Sequence, residues 1–127
     1  IVGAVTQLAQ ALLNIVSNAW HAMPDGGCLS LTTRTVQSAE RHRRVGRTAH
    51  PGVEIVVADT GTGIAPEHME RIFDPFFSTK GVGKGTGLGL AISRRIVEDH
   101  HGTIEVDSRV GHGTTFVIWL PAGGKTA

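Results

Sequence analysis

The chain reads as an α+β domain, a two-layer α/β sandwich in which helices cover one face of a mixed, mostly antiparallel sheet. Three observations predict this. Two long segments place apolar residues at helical spacing, four shorter ones carry strand patterning, and the last two strands are joined by a link so short that antiparallel pairing follows.

From Val5 to Met23, apolar residues at 5, 8, 12, 15, 16, 19 and 23 follow the helical repeat, and Pro24-Asp25-Gly26-Gly27 stops the helix with turn chemistry. "CLSLTTRTV" at 28–36 then alternates as a strand does, and "VEIVVAD" at 53–59 is a more continuous apolar strand ending in a carboxylate. The segment between them is polar, basic and aperiodic. After the second strand, "TGTGIAPEHMERIF" supplies a glycine turn, Pro66 near a helix start and a short helix. Leu88 to His100 forms a helix with apolar positions 88, 92, 96 and 97 on one side, stopped by Gly102. "TIEVDS" and "TTFVIWLP" are two strands of a hairpin closed by "RVGHG".

With 127 residues, of which 40% are hydrophobic, residues 1–127 make one domain around a single core. A formal net charge of +1 offers no global field for nucleic acid or an acidic membrane, so neither is expected as a partner. The basic stretch "ERHRRVGR" at 40–47 has no aromatic platform beside it and reads as a solvated loop. A lone Cys28 forms no internal disulfide, which agrees with a reducing, cytoplasmic location. No apolar run reaches the length of a membrane span and no signal peptide is visible. The chain begins at Ile1, in what already looks like a helix, and is expected to be an excised piece of something longer.

Four clusters could carry chemistry. Asn14 and Asn18 are four apart on one helix face; they offer hard oxygens of the kind Mg²⁺ prefers, or they cap a neighbouring loop. Asp59, followed by Thr60-Gly61-Thr62-Gly63-Ile64, could accept a hydrogen bond from an exocyclic amine such as adenine N6, or form an ordinary Asx turn. "FDPFFSTK" holds Phe73, Phe76 and Phe77, three of the four phenylalanines: anchors for a lid with Lys80 facing phosphate, or a plain core cluster. Gly85-Thr86-Gly87-Leu88-Gly89 leads into a helix, where backbone amides form an anion site. The last stretch is neither a Walker A loop nor a dinucleotide fingerprint. Gly83-Lys84 is followed by Gly85 and preceded five residues earlier by Ser78, and G-x-G-x-x-G started at Gly83 or Gly85 ends on Leu88 or Leu90.

In this order, "LLNIVSNAWHAM", "DTGTGI", "FDPFFSTK" and "GTGLGLAI" resemble the N, G1, F and G2 boxes of the ATP-binding catalytic domain of bacterial sensor histidine kinases, and "GHGTTF" at 111–116 is similar to the box that follows. "NAWHAMPDGG" and "FFSTK" resemble the nitrogen-regulation type. The resemblance covers Gln7 to Pro121 and implies the Bergerat ATP-binding fold, with ATP and Mg²⁺ as ligands. It implies that Asn18 holds Mg²⁺ and Asn14 supports the metal and phosphates, both being catalytic together with Lys80. Asp59 would read adenine N6, Gly61, Gly63, Ile64 and Phe77 would shape the nucleotide pocket, and Thr114 would help Asp59 through water. Lys84, Gly85, Thr86, Gly87, Leu88 and Gly89 would border the triphosphate. Where many members carry a lysine three residues after the metal-binding Asn, this chain has His21, whose neutral imidazole can donate to a phosphate without a fixed charge.

Hydrolytic members of this fold resemble one another in placing a Glu at the position of Asn14. An amide is no general base at neutral pH, so the site is built to position a triphosphate for a nucleophile brought by a partner. None of the seven histidines has the H-[DE]-x-x-[NP] context of a phosphoacceptor. The expected partners are therefore an upstream dimerisation and histidine-phosphotransfer domain and a downstream response regulator; the fragment alone should bind ATP as a monomer without phosphorylating itself. A gyrase-type clamp, an anti-sigma-factor-type serine kinase and a nucleotide sensor without catalysis are the competing readings. The glycines between Thr79 and Thr86 leave little to pack, which predicts a mobile lid. The pair His100-His101 lacks zinc-site spacing and reads as a helix end, where a cation complements the dipole.

Overall fold

The computed structural model describes residues 3–36, 51–75 and 89–121. Helix α1 spans Val5–His21, strand β1 Leu29–Val36, β2 Gly52–Asp59, helix α2 Gly89–Asp99, β3 Thr103–Arg109 and β4 Gly113–Pro121, with a single 3₁₀ turn at Pro66–His68. The strands lie in the order β1-β2-β4-β3 and every described pairing is antiparallel, at the antiparallel end of the mixed sheet expected. No helix among the described residues is long and apolar enough to cross a membrane.

Strand alternation decides which side the helices cover. Val57, Phe116, Ile118 and Leu120 point to one face and form the core with Ile15 of α1, Ile72 and Val97 of α2. Ile55, Ile104 and Val106 extend the same face at their registers with Ile118 and Phe116. The Phe73 ring meets Phe116 edge-on, 6.5 Å between centroids, and Arg94 lies 5.2 Å over its other side. Phe73 is thus core; Phe76 and Phe77 lie outside the described residues.

The two helices run antiparallel, fixed by small residues. Ser93 is fully buried and its hydroxyl donates to the Ala11 carbonyl at 3.1 Å, so the helices approach at a point where a larger side chain would hold them apart. At the far end, His100 ties the last turn of α2 to the start of α1: Nδ1 donates to Ile96 O at 2.8 Å and Nε2 accepts from Ala4 N–H at 3.0 Å. His100 does sit at the helix end, but with Nε2 accepting from Ala4 N–H its ring is neutral, so it serves there as a hydrogen-bonded tie and not as the cation expected.

Some expectations shift. Helix α1 ends at His21 rather than Met23, because Ala22 caps it and Met23 N–H already bonds back to Trp20 in a turn. The segment from Pro66 makes only a 3₁₀ turn followed by further turns to Asp74. Helix α2 buries Ser93, Ile96 and Val97 while Ile92 is exposed, so its core stripe lies one position round from the apolar spacing. Its stop is a Schellman arrangement in which His101, at φ 65°, takes the left-handed position and Gly102 N–H bonds to Val97 O.

Ile15 is sealed completely between helix and sheet. Ile15→Ala is expected to lower stability by about 3 kcal/mol, read as a fall in the urea midpoint with an unchanged slope.

Candidate functional site

Asp59 ends β2 between Leu29 of β1 and Thr114 of β4. One carboxylate oxygen, Oδ1, accepts from Gly61 N–H at 2.8 Å and from Thr114 N–H at 3.3 Å. The first bond is the Asx turn; it occupies Oδ1 and leaves Oδ2 without a partner among the described residues. That oxygen is a fixed acceptor at the rim of the sheet.

The loop after Asp59 folds under the end of α1. Thr62 N–H donates to Ala22 O at 3.0 Å, and a Cβ at Gly61 would stand 2.4 Å from that same oxygen, so only glycine lets helix and loop meet. Gly63 sits at φ 79° against the Arg109 carbonyl of the β3–β4 hairpin, and Gly111 N–H returns a bond to Thr62 O. Ser108 Oγ fastens the arrangement: it accepts from Ile64 N–H at 2.8 Å, pairs with Thr114 Oγ1 at 2.8 Å and donates to Gly113 O at 3.0 Å. Ile64 itself packs against the core.

Along α1, Asn14, Asn18 and His21 follow the i, i+4, i+7 repeat of one helix face. Asn14 Nδ2 donates to Gly89 O at 3.3 Å, at the first described residue of α2. Because the helices are antiparallel, α1 continues past this point toward Ala22 and the Asp59 loop. The face from Asn14 to Ala22 is about 12 Å long at helical rise, with Gly89 of α2 at one end and the Asp59 loop at the other. Asn18 lies between, half-buried. His21 is exposed, with Nδ1 2.8 Å from Ser17 O.

The structure thus brings Asn14, Asn18 and His21 onto one face of α1, with Gly89 of α2 against Asn14, and Asp59, Gly61, Gly63, Ile64 and Thr114 to the adjoining sheet end. Phe77, Lys80, Lys84, Gly85, Thr86, Gly87, Leu88 and the lid lie outside the described residues. Thr114 donates its amide directly to Asp59, and its hydroxyl pairs with Ser108. The proton His21 would donate when neutral is already given to Ser17 O, since a carbonyl oxygen only accepts. Ser108 and Ala22 escaped the sequence reading. A strand serine and a helix-end alanine carry no motif, and only the register Ser108↔Thr114 exposes the first.

Residues 3–124 match the family model described as histidine kinase-, DNA gyrase B-, and HSP90-like ATPase. The chain is 46% identical over 117 residues to the sensor kinase CckA of Brucella abortus, covering 91% of this chain and 12% of that protein. It is 42% identical over 117 residues to the sensory histidine kinase/phosphatase NtrB of Vibrio alginolyticus, covering 91% of this chain and 32% of that one. Among solved structures, full-length ShkA in complex with AMPPNP superposes with a TM-score of 0.71 at 33% identity, over 91% of this chain and 21% of ShkA. The chain therefore spans less than a third of the length of these relatives.

Ser108→Ala removes one acceptor and one donor from a half-buried knot and leaves Ile64 N–H and Gly113 O to find other partners. The expected loss is about 2 kcal/mol in denaturant unfolding, well above that of an exposed serine.

Proposed function

Because the chain belongs to the histidine kinase-, DNA gyrase B- and HSP90-like ATPase family and is of the sensor histidine kinase type, we propose that it binds Mg-ATP and transfers the γ-phosphoryl group to a histidine on the dimerisation domain of the same sensor kinase. The observation that carries the nucleotide reading is the divided carboxylate of Asp59. Oδ1 is held by two backbone amides, so Oδ2 presents a fixed lone pair to one ligand N–H, as adenine N6 requires. A purine bearing a carbonyl at that position would set acceptor against acceptor, which gives the pocket a preference for adenine.

Toward the other end of the α1 face, the half-buried carboxamides of Asn14 and Asn18 suit a polyphosphate and its cation. No three His, Cys, Asp or Glu side chains among the described residues could hold a metal, so an ion here would rest on carboxamide and phosphate oxygens, the hard donors that Mg²⁺ takes. Asn18 would hold it, and the ion would neutralise charge on the phosphates. Asn14 offers no base, and its amide nitrogen is committed to Gly89 O. Water is therefore not activated from this position. The site orients ATP for a nucleophile from outside: a neutral imidazole nitrogen of the partner domain attacks the γ-phosphorus as the bond to the bridging oxygen breaks and ADP leaves. The response regulator would receive the phosphoryl group afterwards. Action on an upstream domain of the kinase, at the cytoplasmic side of the cell, completes this reading.

Titration calorimetry with Mg-AMPPNP should show binding by the chain, weakened roughly a hundredfold by Asp59→Asn, which turns a donor toward the amine, and lost without Mg²⁺ as in Asn18→Ala. With the acceptor domain supplied, radiolabel from [γ-³²P]ATP should appear on that domain in an acid-labile linkage. Binding without any transfer would leave a nucleotide sensor instead of a kinase.

A further inference from the structure

Strand β1 is an edge of the sheet, and seven of its eight residues are exposed. Thr60 N–H bonds to Cys28 O in the register that pairs Leu29 with Asp59, so antiparallel alternation directs the backbone bonds of Ser30, Thr32, Arg34 and Val36 to β2. Leu29, Leu31, Thr33 and Thr35 therefore turn their N–H and C=O groups to the open edge. No proline, lysine or bulge guards it, and the pairing to β2 runs unbroken through all eight residues.

The apolar side chains on this side are bare as well. Leu31 stands in register with Val57 of the core and so lies on the helix-covered face, yet it is 55% exposed. Helix α1 lies over β2 and meets α2 through Ala11 and Asn14, so its other flank is turned toward β1. On that flank and above it Val5, Leu13 and Trp20 are exposed, the indole by 75%. An open indole and two open leucines flanking an unpaired edge form a layer without its cover. Material for a cover exists outside this chain. The catalytic domain of the histidine kinase ThkA superposes with a TM-score of 0.70 at 35% identity, over 91% of this chain but only 66% of that domain, so about a third of the ThkA domain has no counterpart here.

We infer that in the parent kinase the polypeptide immediately preceding Ile1 covers this side: a strand of it pairs with the free edge of β1, and its apolar side chains close over Leu31 and Trp20. Connectivity sets the direction. The end of α1 meets the Asp59 loop through Ala22, beside Leu29, so the start of α1 lies toward the Val36 end of β1. A strand that leads into α1 there runs the same way as β1 and makes a β-α-β unit with it, a parallel neighbour in a sheet whose described pairings are all antiparallel. A segment following β4 is a poorer fit, because β2 separates β4 from this edge.

The test is residue-resolved amide hydrogen exchange, read by mass spectrometry, in three proteins: this chain, the full parent kinase, and the parent with the stretch immediately preceding Ile1 replaced by a glycine-serine linker of equal length. The amides of Ser30, Thr32 and Arg34 report in each protein that β1 is paired with β2. Those of Leu29, Leu31, Thr33 and Thr35 should exchange about a hundredfold more slowly in the parent than in this chain, and the linker variant should return them to the fast rate. Leu31→Asp gives a second reading that replaces no segment: it should lower the melting temperature of the catalytic domain in the parent by about 5 °C and that of this chain by less than about 1 °C. Fast exchange at the four amides in the parent, or equal shifts by Leu31→Asp in parent and chain, overturn the inference. Protection that survives in the linker variant overturns it in favour of another domain as the cover, and protection already present in this chain that rises with its concentration overturns it in favour of a second copy. Nucleotide affinity enters none of these readouts, so the nucleotide reading stands or falls separately.

Discussion

The site end of this domain depends on one oxygen atom. Asp59 Oδ1 gathers an amide from the loop that follows β2 and an amide from β4, and so pins two segments 55 residues apart in sequence. With the loop fixed there, Gly61 comes close enough for Ala22 to cap the contact with α1, and the hairpin loop at Gly111 closes on Thr62. A neutral side chain of the same shape could accept those two amides equally well. What it could not do is leave a second acceptor of the same carboxylate facing outward. The demand for a carboxylate therefore comes from the free oxygen, and turn formation accounts only for the other.

A second constraint sets where the helix start lies relative to that oxygen. The antiparallel crossing of α1 and α2 is fixed by three contacts in order, Ala4 with His100, Ala11 with Ser93 and Asn14 with Gly89. Small side chains at the Ala11–Ser93 crossing let the backbones approach, and the axial register is set by hydrogen bonds. Slipping α1 by one turn would carry Asn14 away from Gly89 and Ala11 away from Ser93. Core packing and site geometry are thus the same constraint, seen at Ile15 from inside and at Asn14 from outside.

Much of this was legible in the chain. The helical repeat through Ile15 and Ala19, the apolar strand ending in Asp59 and the short link after Arg109 each follow from local rules that the fold obeys. The rest depends on partners distant in sequence. "CLSLTTRTV" alternates like a half-buried strand, yet Leu29 and Leu31 are exposed, because the described helices pack over β2 and β3 and leave the edge strand β1 bare. Three phenylalanines in one segment suggested either anchors or core, and Phe73 proves to be core only once Phe116 and Arg94 are brought to its two sides. The left-handed stop of α2 at His101 ran against the usual preference for glycine; the glycine that seemed to mark it is one residue later, where the chain passes against Trp119 O. Among the residues of the nucleotide boxes, the family resemblance located Asp59 and the asparagines, while the hydroxyl knot at Ser108 belongs to no box.

The absence of a base at position 14 bears on the proposed chemistry. A carboxylate there would place a negative charge beside Gly89; the carboxamide avoids that charge and also removes the means of activating water. On the proposed reading, such a position would hold a polyphosphate without committing it to hydrolysis, and transfer would depend on how the incoming nucleophile is aligned. The division of labour between ATP site and acceptor would then follow from a single amide at Asn14.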